Sequence, residues 1–139
     1  MKNVFADTGY WIALVNPRDN LRQKAMAVSK ALGSVRVVTS ELVLAELLNT
    51  FAGRGEQSRR VACQVVDEIL SNANAEVISV SSVDFENARS MYCSRSDKEW
   101  SVTDCASFQI MAARGITDAL AADHHFEQAG FRALLADHA

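Results

Sequence analysis

Residues 1–14, MKNVFADTGYWIAL, decide how the chain begins to fold. Val4 and Phe5 are β-branched and aromatic, so Asn3–Ala6 reads as a short strand. It stops on a carboxylate, Asp7, followed by Thr8 and Gly9. A second apolar run, Tyr10–Val15, leads into the turn Asn16-Pro17-Arg18-Asp19. The same alternation of short strand and longer segment repeats along the chain. Asn20–Leu32 has helical periodicity, and Gly33 is placed to end it. Val35–Val38 reads as a second strand, with Thr39 or Ser40 capping a helix to about Ala52, which Gly53 and Gly55 close. Gln57–Leu70 is an amphipathic helix and Glu76–Val80 a third strand. Ser81 or Ser82 caps a helix to about Cys93, and the polar segment Ser94–Glu99 reads as loop. A further helix runs to Arg114, stopped by Gly115. Ala119–Ala122 is a fourth strand, Asp123–Ala129 a short helix stopped by Gly130, and Phe131–Leu135 a last strand.

Strands that alternate with helices through short connections predict an α/β fold: a three-layer α/β/α sandwich around a mostly parallel sheet. The 139 residues suit one domain spanning 1–139. Apolar residues make up 49% and charged residues 22%, as in ordinary globular proteins. No apolar run approaches the roughly 20 residues that span a bilayer. The start of the chain lacks the separate apolar region and cleavage site of a signal peptide. Cys63, Cys93 and Cys105 are odd in number, scattered and set among apolar residues, which reads as buried free thiols in a reducing compartment, hence the cytoplasm.

In open parallel sheets, ligands bind beyond the carboxyl ends of the strands. Four acids fall at that edge. Asp7 follows the first strand, Glu46 lies about two turns into the helix after the second, Asp104 opens the helix after the polar loop, and Asp123 closes the fourth strand. Each has a local explanation as well. Asp7 suits a turn, Asp123 a helix cap, and Asp104 a capping box with Ser101. Glu46 points away from the stripe of Leu44, Leu47, Leu48 and Phe51, with Leu42 beside it, a partly sheltered face. Taken together, four converging carboxylates repel one another unless a cation lies between them. Mg²⁺ suits such an oxygen-only set. His124 and His125 are adjacent, without the one-face spacing of a helical zinc pair, and read as surface residues opening a helix.

The chain has no glycine-rich phosphate loop of the P-loop type and no G-x-S-x-G elbow. Without a side-chain nucleophile, a cation-activated water is the natural attacker, and phosphodiester hydrolysis is the reaction that fits. The net charge of −3 argues against nucleic acid only weakly, because removing the four site carboxylates leaves the remainder at +1. Arg54, Arg59 and Arg60 form one basic cluster, and Arg95 and Lys98 another. Both could flank the site and meet phosphates.

Four blocks, VFADTGYWIAL around Asp7, SELVLAELLNTF around Glu46, DKEWSVTDCASFQIM around Asp104 and ALAADHHFEQAGF around Asp123, are in the order of a known family. The sequence resembles the PIN-domain ribonucleases, in particular the VapC-like toxins of prokaryotic toxin–antitoxin pairs. The resemblance implies a PIN-like sandwich and endonuclease activity on RNA with Mg²⁺ or Mn²⁺. It implies that Asp7 and Asp104 ligate metal directly, that Asp123 completes the shell, and that Glu46 acts through water. Thr103 matches a supporting Ser/Thr position, and Thr8 and Asn49 are weaker candidates for that role. A homodimer and a small antitoxin partner are implied too.

Rival readings are tested by residues. A haloacid-dehalogenase-like site wants an acid two residues after Asp7, where Gly9 stands. A receiver domain wants an acidic pair after its first strand and a lysine late in the chain, yet none follows Lys98. A stand-alone PIN-domain RNA-processing nuclease, and a PIN-like module that binds RNA or a partner without cutting it, both stay open.

Overall fold

The computed structural model describes residues 1–137. Five strands form one sheet in the order β3-β2-β1-β4-β5, every neighbour parallel. They are β1 (Lys2–Ala6), β2 (Val35–Ser40), β3 (Ala75–Ile78), β4 (Asp118–Leu120) and β5 (Arg132–Ala133). Around them run α1 (Thr8–Val15), α2 (Arg22–Leu32), α3 (Glu41–Phe51), α4 (Glu56–Ser71), α5 (Ser82–Ser94), α6 (Val102–Arg114) and α7 (His124–Gln128).

The chain moves outward from β1 to β2 and β3, then returns across the sheet to β4 and β5 on the other side. Right-handed crossovers that run in opposite directions place their helices on opposite faces. Packing agrees, with α1 against α2, α3 and α4, and α5 against α6, which in turn contacts α7. Covered on both faces, the central strand is wholly apolar where it matters: Val4, Phe5 and Ala6 are fully buried. Reversal of direction beside β1 puts the switch point at the carboxyl ends of β1 and β4, the expected binding position in such sheets.

The apolar run Tyr10–Val15 is helical and begins two residues earlier, at Thr8. Periodicity did not reveal it because Thr8, Tyr10, Trp11, Ala13 and Val15 are all buried, on every side of the helix. The last strand is shorter than its apolar residues suggest, ending at Ala133. Cys105 is buried as expected, but Cys63 and Cys93 are exposed. They lie on the solvent sides of amphipathic α4 and at the end of α5, where neighbouring apolar residues pack inward without them.

The amino edge of the sheet holds a buried charge. Asp118 opens β4 at 1% exposure. Lys2, opening β1, donates to its Oδ2, and Arg132, opening β5, brings Nε to 3.3 Å from Oδ1. Two cations from the flanking strands thus compensate one acid from the strand between them, Arg132 directly across from it in the β4–β5 register and Lys2 reaching in from the start of β1.

Candidate active site

Asp7 sits where β1 becomes α1. Its backbone is extended (φ −88°, ψ 168°), and its N–H donates to Leu120 O at 3.2 Å, carrying the β1–β4 ladder one residue past the strand. That bond fixes the residue at the carboxyl edge of the sheet. Burial pushes its pKa up from 3.8 to about 7, against a backbone hydrogen bond from Thr8 that lowers it. The negative charges of Asp104, Glu46 and Asp123 add to the rise. Three acids distant in sequence are therefore close enough to be felt at this one carboxyl group.

Asp104 is buried (8% exposed) in the first turn of α6. Ser101 caps that helix: Asp104 N–H donates to Ser101 Oγ at 3.0 Å, and Ser101 N–H donates to Asp104 Oδ2 at 3.0 Å. The capping box and the site placement are thus one arrangement, with Oδ2 turned to the helix start. Asp123 caps α7, its Oδ1 accepting from His125 N–H at 3.1 Å. Glu46 lies on the outer face of α3 and is exposed rather than partly sheltered. Leu42, one turn before it, is only half-buried and does not cover it.

His125 departs most from the sequence reading. His124 is a surface residue, its side chain 71% exposed. His125 is not, at 14%. Its Nδ1 lies 3.1 Å from Asp104 Oδ2 and 3.2 Å from Asp123 Oδ2. The sequence signal was its place two residues after the acid that closes β4. The backbone bond to the Asp123 cap turns that ring back over the carboxylate instead of out to water.

Among the supporting candidates, Thr8 is buried and its hydroxyl has no hydrogen-bond partner within the described protein. Thr103 is buried, and its carbonyl accepts from Ser107 Oγ at 2.8 Å. Asn49 is exposed on α3, one turn beyond Glu46. Of the basic residues, Arg95 stacks on Trp100 with its guanidinium 4.9 Å from the ring centroid and pairs with Asp97. Lys98 stands 3.8 Å from the same acid. These two precede the helix that presents Asp104. Arg54 lies over Phe51, Arg59 donates to Ala52 O at 3.0 Å, and Arg60 pairs with Glu56. All three cluster at the α3–α4 junction.

The donor set can be tested against a cation directly. Asp123, His124 and His125 bring donor atoms within 4.8 Å of one another, the only such trio among the described residues. The four carboxylates are spread more widely. Wide spacing, oxygen donors, a carboxyl driven toward neutrality and an unpartnered hydroxyl beside it suit a hard ion that keeps part of its water shell.

Residues 4–132 match the family described as the PIN domain. The chain belongs to the PIN-domain family. Over 131 residues this PIN domain is 33% identical to the 23S rRNA-specific endonuclease VapC20 of Mycobacterium tuberculosis, from strain CDC 1551 / Oshkosh and from strain H37Rv alike. The alignment covers 92% of this chain and 95% of VapC20. The crystal structure of M. tuberculosis VapC20, described as a sarcin–ricin loop cleaving toxin, superposes with a TM-score of 0.82 at 30% identity. It too covers 92% of this chain and 95% of its own. The PIN domain here is thus VapC-like across nearly its whole length, as its four sequence blocks imply. No helix among the described residues is long and apolar enough to cross a membrane.

Proposed function

We propose that this PIN domain is an endoribonuclease that requires Mg²⁺ or Mn²⁺ and acts as the toxin of a toxin–antitoxin pair. The observation that carries the reading is the state of Asp7, whose carboxyl is pushed to about 7 by burial and by three acids arriving from α3, α6 and α7. Crowding several anions around one carboxyl is relieved either by a proton held there or by a cation among them, and above pH 7 only the cation leaves all of them ionised.

Asp7, Asp104 and Asp123 are the residues that would hold the ion, with Glu46 at the exposed mouth. When bound, the ion supplies an activated water and neutralises the phosphate. The protein's own part is to hold. The β1–β4 ladder fixes Asp7, the Ser101 box fixes Asp104, and the cap on α7 fixes Asp123. Thr8, Thr103 and Asn49, each close in sequence to one of these acids, would support the site. Arg54, Arg59, Arg60, Arg95 and Lys98 would meet the RNA backbone on either side. The partners we assign are RNA, a small antitoxin protein and a second copy of the chain, in the cytoplasm.

VapC20 cuts 23S rRNA, so rRNA is the first substrate to assay. Purified protein is incubated with total cellular RNA and Mn²⁺, with and without EDTA, beside Asp7→Asn. Discrete fragments that require the metal and disappear in the variant are expected. Retarded but uncut RNA in every metal would instead make the domain a binding module.

A further inference from the structure

Resting on the nuclease reading above, we infer that His125 is a positioning residue: it yokes Asp104 to Asp123 and so sets the spacing of two acids that receive the ion. Oxygen accounting leads there. Asp104 Oδ2 accepts from Ser101 N–H at 3.0 Å and faces His125 Nδ1 at 3.1 Å. Asp123 Oδ1 accepts the backbone N–H of His125 at 3.1 Å, while its Oδ2 faces the same ring nitrogen at 3.2 Å. A nitrogen between two carboxylate oxygens carries the proton, since a bare lone pair there would face two anions. With Nδ1–H directed at both, Asp104 Oδ2 is committed to the protein and Oδ1 is left for the ion.

The two acids need such a link because their elements are otherwise independent. Asp104 is fixed by α6 and buried. Asp123 is held by the cap of a five-residue helix and by the exposed His124, whose Nδ1 lies 3.4 Å from its Oδ1, and its side chain is 42% exposed. A half-exposed carboxylate on a short helix samples several rotamers, and only some of them face Asp104. The imidazole selects among them. With Nδ1 engaged by the two carboxylates, His125 would act on the ion through its neighbours. Anchoring of α7 to the core belongs to the next residue, Phe126, which is fully buried and packs edge-to-face on Phe108 at 5.0 Å. That division separates the roles of the two adjacent residues.

The test measures Mn²⁺ binding by the full-length protein without RNA, by titration calorimetry or by the loss of the free-ion electron paramagnetic signal. His125→Leu keeps bulk and removes the donor. His125→Asn returns an N–H near the position of Nδ1. Loss of an outer hydrogen-bonding partner typically weakens metal affinity 10–100-fold, and that range is expected for His125→Leu, with most of the affinity restored in His125→Asn. The metal-free melting temperature of each variant is recorded beside it, and His125→Ala serves as a second donor-less variant should the leucine fold poorly. Mn²⁺ affinity in either donor-less variant within twofold of wild type overturns the assignment. Equal weakening in His125→Asn and His125→Leu also overturns it, since packing alone would then be at issue. Wild-type protein that binds no Mn²⁺ would sink the metal-nuclease reading itself, a result plainly different from a wild type that binds and a His125 variant that binds equally well.

Discussion

Asp7→Asn removes one charge from the crowded carboxyl group at the end of β1 while keeping its shape. In the folded protein the Asp7 pKa rises from 3.8 to about 7, chiefly through burial and then through Asp104, Glu46 and Asp123. Below about pH 4 the carboxyl is protonated in both folded and unfolded chains, so variant and wild type should be equally stable. Between pH 4 and 7 the unfolded chain has released a proton that the folded chain still holds. Wild-type stability therefore falls as pH rises through that window and levels off above it. At about 1.36 kcal/mol per pKa unit the full effect is on the order of 4 kcal/mol. Relaxation and water around a half-buried group bring it to about 2 kcal/mol. For a domain of this size that corresponds to a melting temperature about 5–8 °C higher for the variant at pH 8, and no difference at pH 4. Thermal melts in EDTA across pH 4–8 read this directly. Adding Mn²⁺ at pH 8 should raise the wild-type melting temperature and leave the variant where it was, closing the gap. A variant less stable than wild type at pH 8 without metal would refute the reasoning, because the four acids would not then be straining one another.

Other substitutions separate folding from function. Ser101→Ala removes the hydroxyl that caps α6 and should cost about 1 kcal/mol, read by urea denaturation, with cleavage reduced because Asp104 loses its frame. Asp118→Ala, at the opposite edge of the sheet, leaves Lys2 and Arg132 without their buried partner. It should destabilise by about 1–3 kcal/mol while cleavage per folded molecule at low temperature stays at the wild-type level. Arg59→Ala combined with Arg60→Ala should weaken RNA binding and flatten its dependence on salt by at most about two charges' worth. A fluorescence-anisotropy titration at several salt concentrations checks it, and an unchanged slope would place both arginines outside the RNA path.

Much of this architecture was legible in residue order. The strand–helix alternation and the parallel sheet followed from short β-branched runs separated by capped amphipathic segments. Asp7, Asp104 and Asp123 each stand directly at an element boundary, so fixing the boundary located the acid. What escaped notice did so for physical reasons. The helix at Thr8–Val15 is buried all round, so it carries no period to detect. Glu46 lies mid-helix, where a neighbour such as Leu42 says little about shelter until the packing is known. His125 looked like a surface residue because its neighbour is one. Its role depends on a ring turned back by a hydrogen bond to Asp123 and on an acid 21 positions earlier in sequence. Pattern along the chain cannot express such a contact. The cysteines erred for the same reason, since apolar neighbours in sequence need not be neighbours in space.

Because all five strands point the same way, the sheet has two unlike rims. One gathers repelling anions. The other closes a single buried acid between Lys2 and Arg132. Strain is concentrated at the first rim and compensation at the second. An engineer seeking a hardier version of this domain should therefore work from the Asp118 side, where tightening the scaffold does not touch the chemistry.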